Sequence, residues 1–323
     1  MAPLLFPPSQ LSPAEALALS KKAPTVLNSR TTNLLSGTEK PEVWVQYENL
    51  VISCLRTGDD TAARKCLERL TERFGPANER VQALQGLYKE ATAANTKELE
   101  EVLKEYEDIL AENDTNIPIA KRRVSLLRSM GRVADATSAL VQLLDFSPTD
   151  AEAWSELSDI YLSQGLYPQA IYAMEEVVVL SPNAWNIHAR LGELHYMAAI
   201  APGAGQGTAA GGSYQRHMVE AVKRFARSIE LCDDYLRGYY GLKLVVQKLL
   251  SDETNNSAKQ TDDNEAALPD TKTLERLHEL ATSKLAEIVR HYTANDRGWR
   301  GYNEIEIAAA RELLAEGSPK TER

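Results

Sequence analysis

Cysteine is scarce in this chain, and its three residues, Cys54, Cys66 and Cys232, form no C-x-x-C pair. A fold held by disulfides or by a thiolate-bound zinc ion would need more cysteines at closer spacing. We therefore expect a reducing compartment and free thiols. Cys54 and Cys66 are expected to pack in the protein interior rather than to act as nucleophiles.

Basic charge is also in deficit, because 36 Lys and Arg face 46 Asp and Glu and the net charge is −10. Phosphate groups and anionic lipids bind to basic surfaces, so this balance argues against nucleic acid as the main partner and against docking through a broad basic patch. No run approaches the ~18 apolar residues that a membrane helix needs. The N-terminus lacks the basic start of a secretory signal. The sequence thus predicts no direct membrane span.

A helical repeat is present instead, and it is clearest between Ala151 and Ala184. Trp154, Leu157 and Tyr161 fall on one face of a helix, and Ala170 and Met174 form the facing stripe of a second. Gly165 is expected to end the first helix in the left-handed conformation. Pro168 fits the first turn of the second helix, and Pro182 ends it. This order of residues resembles the tetratricopeptide (TPR) repeat.

The same pattern recurs at a period of about 34 residues, as a repeat that cannot bury its apolar face alone requires. Further units begin near Trp44, Glu79, Ile117, Trp185 and Asp234. The register is weakest in the unit at Glu79, where Gln85 and Lys89 occupy positions that are usually apolar. The predicted fold is all-α: a right-handed TPR solenoid of about six helix pairs with flanking helices at both ends.

Three regions follow from this reading: residues 1–40 as an N-terminal helix and linker, 41–292 as the solenoid, and 293–323 as a capping helix and tail. The helix after Ser12 should end near Lys22, with a linker from Ala23 to Lys40. The capping helix should run from about Asn295 to Leu314 and carry Trp299 and Tyr302.

Two insertions, at about 199–215 and 251–270, are expected at turns inside helix pairs. All the turns of that kind should lie along one rim of a solenoid, so the insertions should project from that rim and not from the other. The glycine-rich stretch Ala201–Ser213 lacks the G-x-x-x-x-G-K spacing of a phosphate loop and reads as a flexible linker. The stretch Ser251–Asp270 is polar and acidic and reads as mobile.

Catalytic and metal sites find little support in the sequence. His188 and His195 lie seven positions apart with Glu193 between them, but they occupy repeat positions that pack against neighbouring helices. No G-x-S-x-G elbow is present. We therefore predict no catalytic, cofactor-binding or metal-binding residue, so the protein is not expected to be an enzyme.

A partner-binding surface is predicted instead on the first helix of each pair, which lines the concave wall of a TPR array. Glu152 and Asp159 would repel the carboxylate tail that co-chaperone TPR domains bind, so that kind of partner is disfavoured. The residues chosen as partner-binding are Lys121, Arg128, Glu152, Asp159, Leu162 and Tyr196.

Several segments together resemble subunit 2 of the endoplasmic reticulum (ER) membrane protein complex. They are Trp44-x2-Tyr47; Cys66-Leu67-x2-Leu70-x3-Phe74-Gly75; Tyr106-x2-Ile109-Leu110; Glu152-Ala153-Trp154-x-Glu156-Leu157; and Tyr214–Cys232 followed by Gly241-Leu242. The resemblance covers about Pro41 to Leu250; residues 1–40 and the two insertions fall outside it.

That resemblance implies a scaffold peripheral to the cytoplasmic side of the ER membrane. Its role would be to hold together the cytosolic parts of a complex that inserts tail-anchored and other transmembrane proteins, as part of a hetero-oligomer and without a cofactor. The alternatives are a TPR adaptor of a soluble complex, of the anaphase or RNA-processing kind, and an enzyme built on a helical scaffold.

Overall fold

A computed structural model describes residues 11–28, 41–201, 210–255, 269–299 and 301–316. Within these ranges every regular element is an α-helix, and the fold is the all-α TPR fold that the repeat spacing predicts. The helices are α1 (Pro13–Ser20), α2 (Ala23–Asn28), α3 (Pro41–Arg56), α4 (Asp60–Phe74), α5 (Glu79–Thr92), α6 (Thr96–Glu112), α7 (Ile117–Ser129), α8 (Val133–Phe146), α9 (Ala151–Ser163), α10 (Tyr167–Leu180), α11 (Trp185–Ile200), α12 (Ala210–Leu231), α13 (Leu236–Asn255), α14 (Thr271–Ala294) and α15 (Glu304–Glu316).

The chain forms two compact units, Met1–Pro148 and Thr149–Arg323. In the first unit, α3–α4, α5–α6 and α7–α8 form helix pairs, and each pair packs against the next. In the second unit the pairs are α9–α10, α11–α12 and α13–α14. The domain limits 1–40, 41–292 and 293–323 stay a prediction.

Glycine ends the first helix of three pairs in the way that the sequence predicts. Gly58, Gly131 and Gly165 have φ angles of 74°, 74° and 72°, a backbone conformation that residues with a Cβ rarely adopt. Pro168 lies in the first turn of α10, where no intrahelical partner for its missing N–H is needed. These local signals therefore set the turns between paired helices.

The N-terminal region is more helical than the sequence suggests. α1 begins with the predicted capping box at Ser12 and Glu15. The expected linker from Ala23 is wrong in its first part, because α2 occupies Ala23–Asn28. Ala23 is completely buried and packs in the core of the α3–α4 pair, so tertiary contact stabilises this short helix. Residues 29–40 lie outside the described ranges.

The two insertions are partly helical, which corrects the prediction that they are linkers throughout. α12 already begins at Ala210, within the expected glycine-rich linker, and α13 continues through Ser251 to Asn255. A hydrogen bond of 2.5 Å from the Tyr214 hydroxyl to Asp252 joins these two extensions. The parts 202–209 and 256–268 lie outside the described ranges.

The C-terminal helix begins later than predicted. Asn295 adopts a left-handed conformation and ends α14, so α15 starts only at Glu304. Trp299 and Tyr302 consequently lie in the connection. Trp299 stacks on His291 with ring centroids 4.6 Å apart, and α15 packs against α13 and α14.

Close approach of helices depends on small residues at one repeat position. The Ser158 hydroxyl donates a 2.8 Å hydrogen bond to the Ala170 carbonyl, and both residues are fully buried. In the unit at Glu79, Gly86 faces the Tyr106 ring, which confirms the register there. Gln85 hydrogen-bonds to Thr71, so its polar position is satisfied within the fold.

Candidate partner-binding surface

In the first unit, α7 positions the two basic residues that the sequence analysis selects. Lys121 is half-buried and Arg128 is exposed. They are seven residues apart, so they lie on nearly the same face of the helix. This face presents positive charge over about two helical turns.

A polar connection between consecutive repeats lies close to these residues. Arg122 of α7 forms an ion pair with Glu90 of α5, and its Nε donates to Glu90 Oε1 over 3.0 Å. The hydroxyl of Tyr106 donates to the same carboxylate over 2.5 Å. Burial, with the neighbouring Glu90, raises the pKa of Tyr106 well above its usual value. The carboxylate of Glu90 thus fixes three helices of the first unit relative to one another.

In the second unit, α9 carries three of the predicted binding residues. Glu152 and Asp159 are exposed, whereas Leu162 is half-buried and packs against the core formed by α10 and α11. Glu152 and Asp159 are seven residues apart on one face of the helix. The structure therefore places two carboxylates on one face of α9, whereas Leu162, about one turn beyond Asp159, packs against the core.

Asp159 has a partner within the chain, which the sequence analysis missed. Arg190 of α11 donates to Asp159 Oδ1 over 2.9 Å and to Glu193 Oε2 over 2.8 Å. The acidic surface of α9 is thus balanced by a guanidinium that lies between two carboxylates.

Arg122 and Arg190 were detectable from the repeat register alone. Each is the sixth residue of its unit, counted from Ile117 and Trp185, and each pairs with an acidic residue of the preceding unit. An arginine repeated at one position of a solenoid predicts a contact between neighbouring repeats. The actual acidic partner depends on how the helices are rotated.

Tyr196 lies on α11 and is half-buried against the large core of the second unit. Burial raises the pKa of its hydroxyl. Near it, Lys248 donates to Asp252 over 2.7 Å, and Asp252 also accepts the Tyr214 hydrogen bond. Tyr196 therefore combines an apolar ring with a polar neighbourhood, as residues at protein interfaces often do.

The two histidines and two cysteines that the sequence assigns to packing positions are buried, as predicted. His188 and His195 are 5% and 6% exposed, and Cys54 and Cys66 are fully buried. Burial raises the pKa of the Cys54 thiol to about 11 and that of Cys66 to about 12, so neither forms a thiolate readily.

His195 has a neighbour that the sequence analysis did not anticipate. Its Nδ1 lies 3.0 Å from Nδ1 of His217 on α12. Burial, together with the adjacent His217, lowers the pKa of His195 to about 4. One imidazole donates and the other accepts, so the accepting ring is neutral in this arrangement.

Metal-binding clusters and membrane-spanning helices are absent from the described part of the chain. No group of three or more His, Cys, Asp or Glu side chains there is arranged to hold a metal ion. Among the described helices, none combines the length and the apolar content that crossing a membrane requires.

Comparison with known proteins supports the TPR fold. Residues 74–208 match the family model described as the EMC2 TPR-like repeat domain. TPR repeat protein oca3 of Schizosaccharomyces pombe is 33% identical over 252 residues, which cover 77% of this chain and 83% of that protein.

Two further relatives have names that specify a complex. ER membrane protein complex subunit 2-B of Xenopus laevis is 27% identical over 240 residues, which cover 74% of each chain. ER membrane protein complex subunit 2 of Saccharomyces cerevisiae is 23% identical over 257 residues, 78% of this chain and 84% of the yeast protein. The chain belongs to the family of ER membrane protein complex subunit 2.

Proposed function

We propose that this protein is a non-catalytic scaffold subunit of an ER membrane protein complex. It lies on the cytoplasmic side of the membrane, holds the cytosolic parts of other subunits together, and needs no cofactor. The complex inserts tail-anchored and other transmembrane proteins. The observation that carries the proposal is similarity over 74% and 78% of the chain to relatives that bear the name of this subunit.

The helical repeats support a scaffold role on physical grounds. In TPR proteins each pair exposes one face of its first helix, and neighbouring pairs within a unit repeat that face, which gives a surface of variable side chains. Protein partners can thus be recognised without any catalytic group. Attachment to the membrane would then come from partner subunits, through their cytosolic domains and tails.

Co-purification tests membership directly. A tagged chain, expressed in its own cells and isolated from detergent-solubilised membranes, should recover membrane-spanning subunits identified by mass spectrometry. Recovery of only soluble assemblies would refute the proposal. If membership holds, loss of the chain should lower insertion of a tail-anchored reporter, and an unchanged insertion yield would contradict the proposed role in insertion.

The binding surface in the second unit consists of Glu152, Asp159, Leu162 and Tyr196 in this proposal. Charged groups would set the orientation of a bound segment and its association rate, while Leu162 and Tyr196 would contribute the tighter contacts. The pairing of Asp159 with Arg190 refines this idea, because a partner would meet a surface of mixed sign.

Charge reversal at this surface provides the test. The double variant Glu152→Lys, Asp159→Lys should reduce recovery of the membrane subunits by about tenfold, a loss of roughly 1.4 kcal/mol in binding. Exposed ion pairs contribute at most about 1 kcal/mol, so the variant should remain folded. Glu175→Lys, Glu176→Lys on α10 changes the net charge equally and serves as the control.

The two basic residues of α7 form the proposed surface of the first unit and are tested separately. Lys121→Glu, Arg128→Glu should also lower recovery of partners, with helix content unchanged by circular dichroism. Undiminished recovery with both double variants would mean that partners bind elsewhere on the chain.

A further inference from the structure

A groove on the surface of the second unit lies between α12 and α14. Its volume is about 700 Å³, and Ala226, Ile229, Tyr239 and Leu280 contribute its apolar lining. Leu280 is 49% exposed, although it stands beside this lining. About half of this apolar side chain is therefore exposed to solvent in the described part of the fold.

Charge is divided along the groove. Lys223 and Arg227 line the part nearer the start of α12, and Glu230 and Asp233 line the part at its end. Lys223 also pairs with Glu220 over 2.8 Å and Asp233 with Lys284 over 3.2 Å, but the Lys223 and Asp233 side chains stay 57% and 85% exposed. A guanidinium nitrogen of Arg227 lies 2.8 Å from a carboxylate oxygen of Glu230, but the two side chains are 42% and 68% exposed. An exposed pair of this kind contributes little to stability, so both groups can exchange partners easily.

A large aromatic side chain is exposed at the start of α11, where Trp185 is 44% exposed. Hydrogen bonds connect this segment to the end of α12: the Ser228 hydroxyl donates to the Trp185 carbonyl over 2.7 Å, and Arg227 donates to Asn183 over 3.5 Å. Tryptophan and arginine are the residue types that most often dominate binding at protein interfaces.

From these observations we propose that the α12–α14 groove binds a short amphipathic helix of another protein chain. Its apolar stripe lies on Ala226, Ile229 and Leu280. A carboxylate of the bound helix faces Lys223 and Arg227, and a basic residue about two turns later faces Glu230 and Asp233. The distance along α12 from Lys223 to Glu230 is about 10 Å, which matches two helical turns.

Charge complementarity identifies this occupant. A uniformly acidic or uniformly basic segment would meet like charge at one end of the groove, which disfavours it. The chain's own last residues, 317–323, contain no large apolar side chain to lie on Leu280. The inference rests on the proposed function, since it assigns one of the subunit contacts to a specific groove.

Site-specific photo-crosslinking in the full complex tests the inference. A benzoylphenylalanine placed at position 280 should crosslink to one segment of another chain, mapped by mass spectrometry. That segment should read acidic, then apolar at helical spacing, then basic. The same label at Ala286, an exposed position about 120° around α14, is the control and should not label that segment.

Substitutions provide a second measurement. Leu280→Asp should lower recovery of the crosslinked chain by about tenfold or more, as loss of a central apolar contact does. Ile305→Asp, at an apolar position of α15 that is 77% exposed, should leave recovery unchanged. Lys223→Glu with Arg227→Glu should weaken binding, and reversing the acidic residue of the mapped segment should restore it.

Several results would overturn the inference. They are an absence of crosslinks at position 280, crosslinks only to a second copy of this chain, and a labelled segment without the expected charge order. If membrane subunits still co-purify in those cases, the proposed scaffold function stands and only the groove assignment fails. If no membrane subunit co-purifies, the proposed function itself fails.

Discussion

The ring of Phe225 lies between Gly192 of α11 and Gly241 of α13, and substitution of either glycine tests how closely these helices pack. Phe225 is 1% exposed, so the ring has little room to move. A Cβ at position 241 would lie 2.1 Å from Cε1 and 2.2 Å from Cζ of the ring. A Cβ at position 192 would lie 3.0 Å from the ring, where a shift of a few tenths of an ångström relieves the contact.

Two opposing effects set the expected magnitude. Replacing glycine by alanine inside a helix normally stabilises it by about 1 kcal/mol. Overpacking a well-filled core costs about 1–3 kcal/mol, and the overlap at Gly241 falls at the upper end of that range. Gly241→Ala should therefore lower the free energy of unfolding by about 1–2 kcal/mol, whereas Gly192→Ala should change it by less than about 0.5 kcal/mol.

Urea denaturation followed by circular dichroism measures the stability difference, and hydrogen exchange of the α13 amides localises it. A Phe225→Leu background supplies the control, because the ring atoms that overlap are then absent and Gly241→Ala should lose most of its penalty. The double-mutant cycle should give a coupling of about 1–2 kcal/mol. Equal stabilisation by alanine at both glycines, with no coupling to Phe225, would refute the close approach of α11, α12 and α13.

Three other predictions concern buried and partly buried side chains. Because the pKa of His195 is lowered to about 4, the unfolded chain binds more protons than the folded chain between pH 6.5 and 4. The free energy of unfolding should therefore be highest above pH 6.5 and fall by up to about 3 kcal/mol toward pH 4. His195→Phe should flatten this pH dependence, measured by urea denaturation. Lys243 is 1% exposed, and its ammonium group bonds to the neutral side chains of His278 and Thr282, so Lys243→Met should be neutral or raise the melting temperature. A loss of stability above about 2 kcal/mol would contradict this reasoning. Trp154→Ala should cost about 3 kcal/mol through the lost packing, while Glu152→Ala should stay within about 0.5 kcal/mol, and equal melting points would refute the repeat register.

The local parts of the fold could be predicted from the sequence because their causes are local. The spacing of Trp154, Leu157 and Tyr161 places apolar groups on one helical face whatever lies nearby. Gly165 marks a turn because its φ of 72° is accessible to glycine without strain. Periodic recurrence of these features then predicts the helix pairs and their neighbours.

The ends of the helices were less predictable where composition and contacts disagree. The residues Ala210 to Ser213 read as a flexible linker, yet they are part of α12. The hydrogen bond between Tyr214 and Asp252 joins residues that are far apart in sequence, so no local sequence pattern predicts it. Packing of a long helix against its neighbour outweighs the weak helix propensity of glycine.

The sequence by itself determined the all-α repeat, the order of its helix pairs and the helix faces on which partner-binding residues were sought. Only the tertiary structure decided which charges on those faces are already paired, as Asp159 is with Arg190 and Glu90 is with Arg122. It also decided that His195 meets His217. The physical reason is that periodicity fixes the face on which a side chain lies, whereas its partner depends on the rotation and spacing of helices distant in sequence.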